Sequence, residues 1–325
     1  MFWLTKDKKN SFISRKNTIM VHHRNPASAF KALNGLICVY KPSCVSVKQV
    51  QHIIKTNLCR DLNAMPDRPI EKRVEIFGAT NEKMQVKLVP NYADDPLVCG
   101  PRYINEDFRC SFATNLGFFS SGVLLLGLNE GTKFTYHINI SRPTRAFKVH
   151  GQLGKATDTY FWNGKTVEKT TYNHVTREKI DRVIAHMQAA HQKTMFELTG
   201  LHMDSQTTYD LAAQGLIRPA NSKLPVLYGI KCVYFQPPNF TLEIQSVNEY
   251  DQYLWTLVHE LGIQLKSSAH CTAVQCIRQG KFDLDMALLR KHWTLEHVVN
   301  NIQICKKLLE DNRRLLRPES AILSA

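Results

Sequence analysis

The chain has 325 residues, of which 43% are hydrophobic and 22% are charged, and this composition excludes a fully disordered protein. It contains no apolar run near the ~18 residues of a membrane-spanning helix, so no membrane span is expected. Lys and Arg total 42 against 28 Asp and Glu, and the resulting charge of +14 predicts a polyanionic partner, most often nucleic acid.

The positive charge is concentrated at the N-terminus. Residues 1–60 hold eleven basic residues and a single acid, Asp7. A segment poor in acids and rich in basic and hydroxyl residues is typical of a mitochondrial transit peptide. We therefore interpret residues 1–32 as a basic segment, either a mitochondrial targeting segment or a disordered arm that touches RNA. The targeting interpretation predicts a location in the mitochondrial matrix.

The hydrophobic pattern in the first half of the chain predicts strands and one helix. A strand over 35–40 stops at Lys41 and Pro42. Apolar spacing then predicts a helix over 45–58, a loop over 61–74 and a short strand over 84–89. Residues 90–101 contain three prolines and read as a structured loop, and 123–126 is a buried strand.

The second half mixes helices and strands without a regular strand–helix–strand repeat. Thr176 is the expected N-cap of a helix over 176–193. The other predicted segments are strands over 146–153, 224–234 and 240–247, and helices over 205–216, 250–265, 282–289 and 295–309. This mixture predicts an α+β fold with a central, mostly antiparallel sheet flanked by helices.

The nine cysteines show no C-x-x-C pair, the spacing that zinc and redox motifs use. Free and mostly buried thiols are the expected state. We predict that the protein binds no metal.

Three segments carry the strongest motif signal: LNGLICVYKP (33–42), SSGVLLLGLNEGTKF (120–134) and RAFKVHGQLGKATDTYFWNGK (145–165). Further segments fit in the same order, namely 96–101, 154–158, 167–182, 215–219 and 257–272. Together they resemble the TruB-type RNA pseudouridine synthases, most closely their animal mitochondrial branch. The resemblance covers roughly residues 33–290 and identifies 33–300 as a TruB-like domain, followed by a charged helical or disordered tail over 301–325.

The resemblance implies a pseudouridine-synthase-like fold with an RNA-binding cleft. It also implies the family reaction, in which a uridine within RNA is isomerised to pseudouridine without a cofactor. The target base is flipped out of its stack to reach the enzyme. The implied partner is RNA, either transfer RNA or mitochondrial transcripts, and protein partners are also possible. One aspartate is the nucleophile and pairs with an arginine.

Both family groups are missing from this sequence. The family's aspartate stands five residues before the glycine of the S/T-G-V-L strand, here Gly122, and that position is Gly117. The family's arginine stands seven residues before the glycine of Glu260-Leu261-Gly262, and that position is Trp255. A buried arginine without its carboxylate is an unpaired charge that destabilises the folded protein. Replacing both residues avoids that penalty, so the double change indicates a compensated loss of the ion pair. We expect a catalytically impaired protein.

The third family position keeps an aromatic ring. The tyrosine of the K-x-Y segment, which stacks on the flipped base, corresponds to Phe147. Stacking needs only the ring face and is worth roughly 1–3 kcal/mol per base. Lys41, Arg142, Arg145 and Lys148 are the candidate RNA contacts. Other basic residues could line the same cleft: Arg102, Arg109, Lys133, Lys155 and Lys165.

Two alternatives remain open from the sequence. One is an active pseudouridine synthase that uses another carboxylate, such as Asp107 or Glu106. The other is a scaffold that binds protein partners and no RNA.

Overall fold

A computed structural model describes residues 25–65, 71–78, 83–200, 202, 204–214 and 224–316. Its helices are α1 (Pro26–Ala32), α2 (Val47–Asn63), α3 (Pro96–Cys99), α4 (Thr132–Ser141), α5 (Arg177–Thr199), α6 (Gln206–Gln214), α7 (Asp251–Gln264) and α8 (Leu295–Asp311). Its strands are β1 (Gly35–Lys41), β2 (Lys72–Phe77), β3 (Gln85–Pro90), β4 (Cys110–Phe112), β5 (Ser121–Leu128), β6 (Arg145–Leu153), β7 (Lys155–Thr157), β8 (Thr166–Lys169), β9 (Val226–Gln236), β10 (Asn239–Val247), β11 (Ala269–Gln279) and β12 (Phe282–Asp283).

The centre of the fold is an eight-stranded sheet. Six strands follow the order β1-β5-β11-β6-β10-β9, with β4 added to β5 and β12 added to β11. The pairing of β5 with β11 is parallel, whereas the other pairings in this sheet are antiparallel. The predicted α+β fold with a mostly antiparallel central sheet is confirmed.

Burial patterns explain which segments form the middle of the sheet. Strands β1 and β5 are buried along almost their whole length, as expected of apolar runs covered on both faces. Strand β6 alternates between buried and half-buried residues from Phe147 onward, the period-2 pattern of a strand. Helix α8 packs near β1, α7 near β11 and α5 near β9. The sheet therefore carries the core and holds the N-terminal turn of α7 beside it.

One glycine brings β5 close to β11. Gly122 has a φ of +116°, and a Cβ there would lie 2.0 Å from the carbonyl oxygen of Cys276. The parallel pairing of Gly122 with Cys276 follows from this approach. It fixes where β5 begins, and therefore where the preceding loop over 113–120 lies.

Most predicted elements are confirmed, and Thr176 caps α5 by accepting from the Lys179 backbone N–H. The predicted helix over 282–289 is wrong. This segment instead begins with β12 and a 3-10 turn (Leu284–Met286), and Leu288 then exchanges backbone hydrogen bonds with β1. The predicted loop over 61–74 is also wrong at both ends, because α2 continues to Asn63 and β2 begins at Lys72.

Seven further helices and strands were not predicted: α1, α3, β4, α4, β7, β8 and β11. Several sequence-based interpretations lie outside the described residues: 1–24 of the basic segment, the GLIRP segment over 215–219, and 317–325 of the tail. Of the cysteines in the described chain, eight are free thiols and six of these are buried. Within the same residues, no helix has the length and apolarity needed to cross a membrane.

Candidate active site

Four parts of the chain meet where the family residues were expected. They are the end of β1, the loop over 113–120, the first residues of β6 and the first turn of α7. Hydrogen bonds and charge interactions connect Lys41, Gly117, Ser120, Arg145 and Asp251 across these segments. The site therefore depends on long-range packing, because α7 is more than 100 residues from the other segments in sequence.

Lys41 ends β1 and is completely buried. Its ammonium donates to the backbone carbonyl oxygens of Pro42 at 3.1 Å, Phe118 at 3.2 Å and Ser120 at 2.6 Å. Three donors are thus used by three acceptors, and the side chain ties the loop over 113–120 to the sheet. Burial lowers the pKa of Lys41 to about 8, although the nearby Asp251 carboxylate favours its charge.

The most informative contact involves Gly117, the position predicted for the family's nucleophile. Asp251, the first residue of α7, directs its carboxylate at Gly117. A Cβ on residue 117 would lie 1.8 Å from Asp251 Oδ2 and 2.2 Å from its Cγ. The space that a side chain at position 117 would need is therefore occupied by a carboxylate from another element.

Hydrogen bonds hold the Asp251 carboxylate in place. Ser120 Oγ donates to Oδ1 at 2.8 Å, and the Gly117 backbone N–H also donates to the carboxylate. Burial raises the pKa of Asp251, opposed by these donors and by the charges of Lys41 and Arg145. Asp251 as a whole residue is half-buried.

Arg145 starts β6 and lies in a buried ion pair. Its Nη1 is 2.7 Å from Glu249 Oε1, and the side chains are 7% and 2% exposed. Nη1 also donates to the Asn115 carbonyl oxygen at 3.3 Å. Burial is the largest single effect and opposes the charge of Arg145, but Glu249, Cys276 and Asp251 together outweigh it and raise the pKa of the guanidinium. Arg145 therefore connects the loop over 113–120 to the segment just before α7.

Phe147 lies two residues along β6 and is 1% exposed. The Arg145 guanidinium carbon is 4.9 Å from the centre of its ring, within cation–π distance. The guanidinium thus lies over the ring on which a base is predicted to stack. Base stacking on Phe147 stays a prediction.

Trp255 lies one helical turn after Asp251 on α7. Its ring stacks on Phe161, with centroids 4.5 Å apart and planes at 20°, and it also approaches Phe119 at 6.1 Å. The position predicted for the family's arginine is therefore part of an aromatic cluster. Its indole Nε1 is buried and has no hydrogen-bond partner among the residues that the structure describes.

The predicted RNA contacts fall into two groups. Lys41 and Arg145 are buried and engaged as described above, so neither ammonium nor guanidinium faces solvent where a phosphate would bind. Arg142 ends α4 in the left-handed conformation, with φ 44°, and Lys148 lies on β6; both are half-buried. Arg102, Arg109, Lys133 and Lys165 are exposed, and Lys155 is half-buried. Of the predicted RNA contacts, only the half-buried and exposed basic residues have side-chain surface that RNA can reach.

Asp107 and Glu106, the alternative carboxylates named from the sequence, lie in a short 3-10 turn (Asn105–Asp107). Asp107 accepts from the backbone N–H of Ile104 at 2.9 Å and lies near Cys59 of α2. The carboxylate that the structure brings to Gly117 is Asp251, which the sequence analysis did not identify. The described residues contain no cluster of three or more His, Cys, Asp or Glu arranged to hold a metal ion.

Comparison with known proteins connects this geometry to one family. The sequence profile of the TruB family pseudouridylate synthase (N terminal domain) matches residues 103–250. The mitochondrial pseudouridylate synthase TRUB2 of Xenopus tropicalis is 41% identical over 288 residues, covering 86% of this chain and 88% of that protein. The human TRUB2 protein, also named mitochondrial, is 38% identical over 284 residues, covering 85% of each chain.

Among solved structures, the chain is similar to one in the archaeal box H/ACA sRNP Nop10-Cbf5 complex. The sequence identity is 15% and the TM-score is 0.43. The match covers 89% of this chain and 60% of that one, so this chain spans less than two thirds of its length.

Proposed function

Since this chain belongs to the TruB family of pseudouridine synthases, we propose that it binds mitochondrial RNA and that its isomerisation of uridine to pseudouridine is impaired. The impairment rests on one observation. Gly117 provides no carboxylate of its own where the family's nucleophile stands, and Trp255 provides no cation where the family's arginine stands.

Loss of both groups is compatible with a stable site. An arginine left without its carboxylate would be a buried unpaired charge, which costs about 3–5 kcal/mol. Trp255 removes that charge and instead packs on Phe161. The exchange therefore keeps the fold while it removes the family's catalytic pair.

Charge and surface chemistry support RNA as the partner. The net charge is +14, and Arg142 and Lys148 retain exposed surface near the start of β6. Phosphate contacts of this kind release counterions, so the affinity falls as salt rises. The names of the relatives and the basic N-terminal segment both support a mitochondrial location.

The reaction test uses a stem-loop RNA with uridine tritiated at C5, because formation of pseudouridine releases that tritium to water. RNA binding is measured in parallel at several salt concentrations. We expect salt-dependent binding and a release rate at least ~100-fold below that of a TruB-type enzyme with an intact Leu-Asp segment. A rate equal to that enzyme's would overturn the impairment. An absence of RNA binding would instead favour the protein-binding scaffold.

A further inference from the structure

Gly117 and Asp251 exclude one another's side chains. A Cβ on Gly117 would lie 1.8, 2.2 and 2.5 Å from Asp251 Oδ2, Cγ and Oδ1. Gly117 does not have the positive φ that favours glycine, so what requires glycine here is space. The carboxylate of Asp251 can be in its present place only because position 117 has no side chain.

We propose that Asp251 is the substitute nucleophile of this chain, delivered by α7 to the place from which the family's aspartate acts, and that it carries the remaining isomerisation. The inference rests on the proposed function, because it needs an RNA bound at this site. It differs from the family arrangement, in which the carboxylate comes from the residue at position 117.

The surroundings of Asp251 are those of an oriented anion. Ser120 and the Gly117 N–H fix the carboxylate with hydrogen bonds from the loop over 113–120. Asp251 is also the first residue of α7, where the helix dipole stabilises negative charge. A reactive group held by such supporting contacts is preorganised for attack.

The positive charge near the Asp251 carboxylate comes from residues other than the one at the family's arginine position. The cations that act on Asp251 are Lys41 and Arg145 rather than a residue of α7. Arg145 reaches this place through its ion pair with Glu249, two residues before Asp251. The site therefore keeps a carboxylate with nearby positive charge although Trp255 has replaced the family's arginine.

The step required of Asp251 is balanced within the substrate. A carboxylate oxygen forms a bond to C1′ of the uridine while the bond from C1′ to N1 breaks, and that electron pair leaves with the uracil anion. After the base turns, C5 bonds to C1′ and the carboxylate leaves with its electron pair. C5 then loses its proton to water and N1 gains one, so no oxidant, reductant or cofactor is needed.

The decisive variant is Asp251→Asn, which keeps the shape and removes the nucleophile. The assay is tritium release from the C5-tritiated stem-loop RNA, with RNA affinity measured on the same samples. We expect release to fall at least ~100-fold below wild type while RNA binding is retained. Asp181→Asn is the matched control, because it removes a carboxylate that is 51% exposed on α5; its release should equal that of wild type.

A second variant leaves Asp251 itself intact. Gly117→Ala adds the Cβ that displaces the carboxylate, so tritium release should fall as in Asp251→Asn. Combining both substitutions should cause little further loss, because both act on one group.

The outcomes separate this inference from the proposed function. Wild-type release in Asp251→Asn, or no release above background by wild-type protein saturated with RNA, would overturn the role of Asp251 and leave RNA binding standing. Loss of RNA binding by the wild-type protein itself would overturn the proposed function.

Discussion

The Arg145 guanidinium and the Glu249 carboxylate face each other in the interior of this protein, 2.7 Å apart and almost inaccessible to water. The pair joins the start of β6 to the residues that precede α7. It therefore sets the position of the helix that carries both Asp251 and Trp255.

Removing one partner of the Arg145–Glu249 ion pair should lower the stability of the folded protein. Glu249→Gln leaves the Arg145 charge buried without its partner, and the free energy of unfolding should fall by about 3–5 kcal/mol in urea denaturation. The exposed pair Arg177 and Asp181 is the matched control, since its side chains are 45% and 51% exposed. Asp181→Asn should cost less than about 1 kcal/mol. Equal losses in the two variants would contradict a structural role for the buried pair.

Restoring the family residues in this chain should require three substitutions. In the double variant Gly117→Asp with Trp255→Arg, the new carboxylate side chain at position 117 collides with Asp251. Two carboxylates in one site also repel each other, which disfavours the ionised form of each. Tritium release should therefore stay low. Adding Asp251→Ala removes the obstruction, and release should then exceed that of the double variant. Full rescue by the double variant alone would show that Asp251 moves aside freely.

The stability contribution of Asp251 should depend on pH. Burial raises the pKa of Asp251 in the folded state above the ordinary value of 3.8. At pH values between the unfolded and the folded pKa, the folded state therefore binds more protons than the unfolded state. Stability from this group is consequently lost as pH rises from about 4 through the folded pKa. The gain in unfolding free energy of Asp251→Asn over wild type should therefore grow from pH 4 to pH 7. A difference that is constant or shrinks would contradict the raised pKa.

RNA affinity should depend on Arg142 and Lys148. Arg142→Ala and Lys148→Ala should each weaken binding of the stem-loop RNA and lower the slope of log K against log salt by about one. Lys193→Ala is the control of equal charge, because Lys193 is 71% exposed on α5. Its slope should equal that of wild type. If all three variants behave alike, the binding is a general effect of net charge.

Local patterns in the sequence predicted most elements of the fold. The buried runs of β1 and β5, the alternation in β6 and the Thr176 cap of α5 are all short-range signals. The helix predicted over 282–289 does not form. The backbone of this segment instead bonds to β1, which is nearly 250 residues away in sequence. Long-range backbone pairing of this kind outweighs a weak local preference.

The sequence by itself determined the family, the mixed sheet and helix architecture, and the absence of side-chain chemistry at Gly117 and of a cation at Trp255. These conclusions need only residue identity and order. It also offered Asp107 and Glu106 as alternative carboxylates, which a loop would have to bring to the site.

Only the tertiary structure placed Asp251 against Gly117, and only the structure buried Lys41 and Arg145 instead of exposing them to RNA. In sequence, the available signal was an acid four residues before Trp255, hence on the same face of α7. That spacing shows which residues share a face of the helix, but it does not show which part of the protein packs against that face. The meeting of α7 with the loop over 113–120 depends on the packing of the whole sheet, because the two segments are joined by no local contact along the chain.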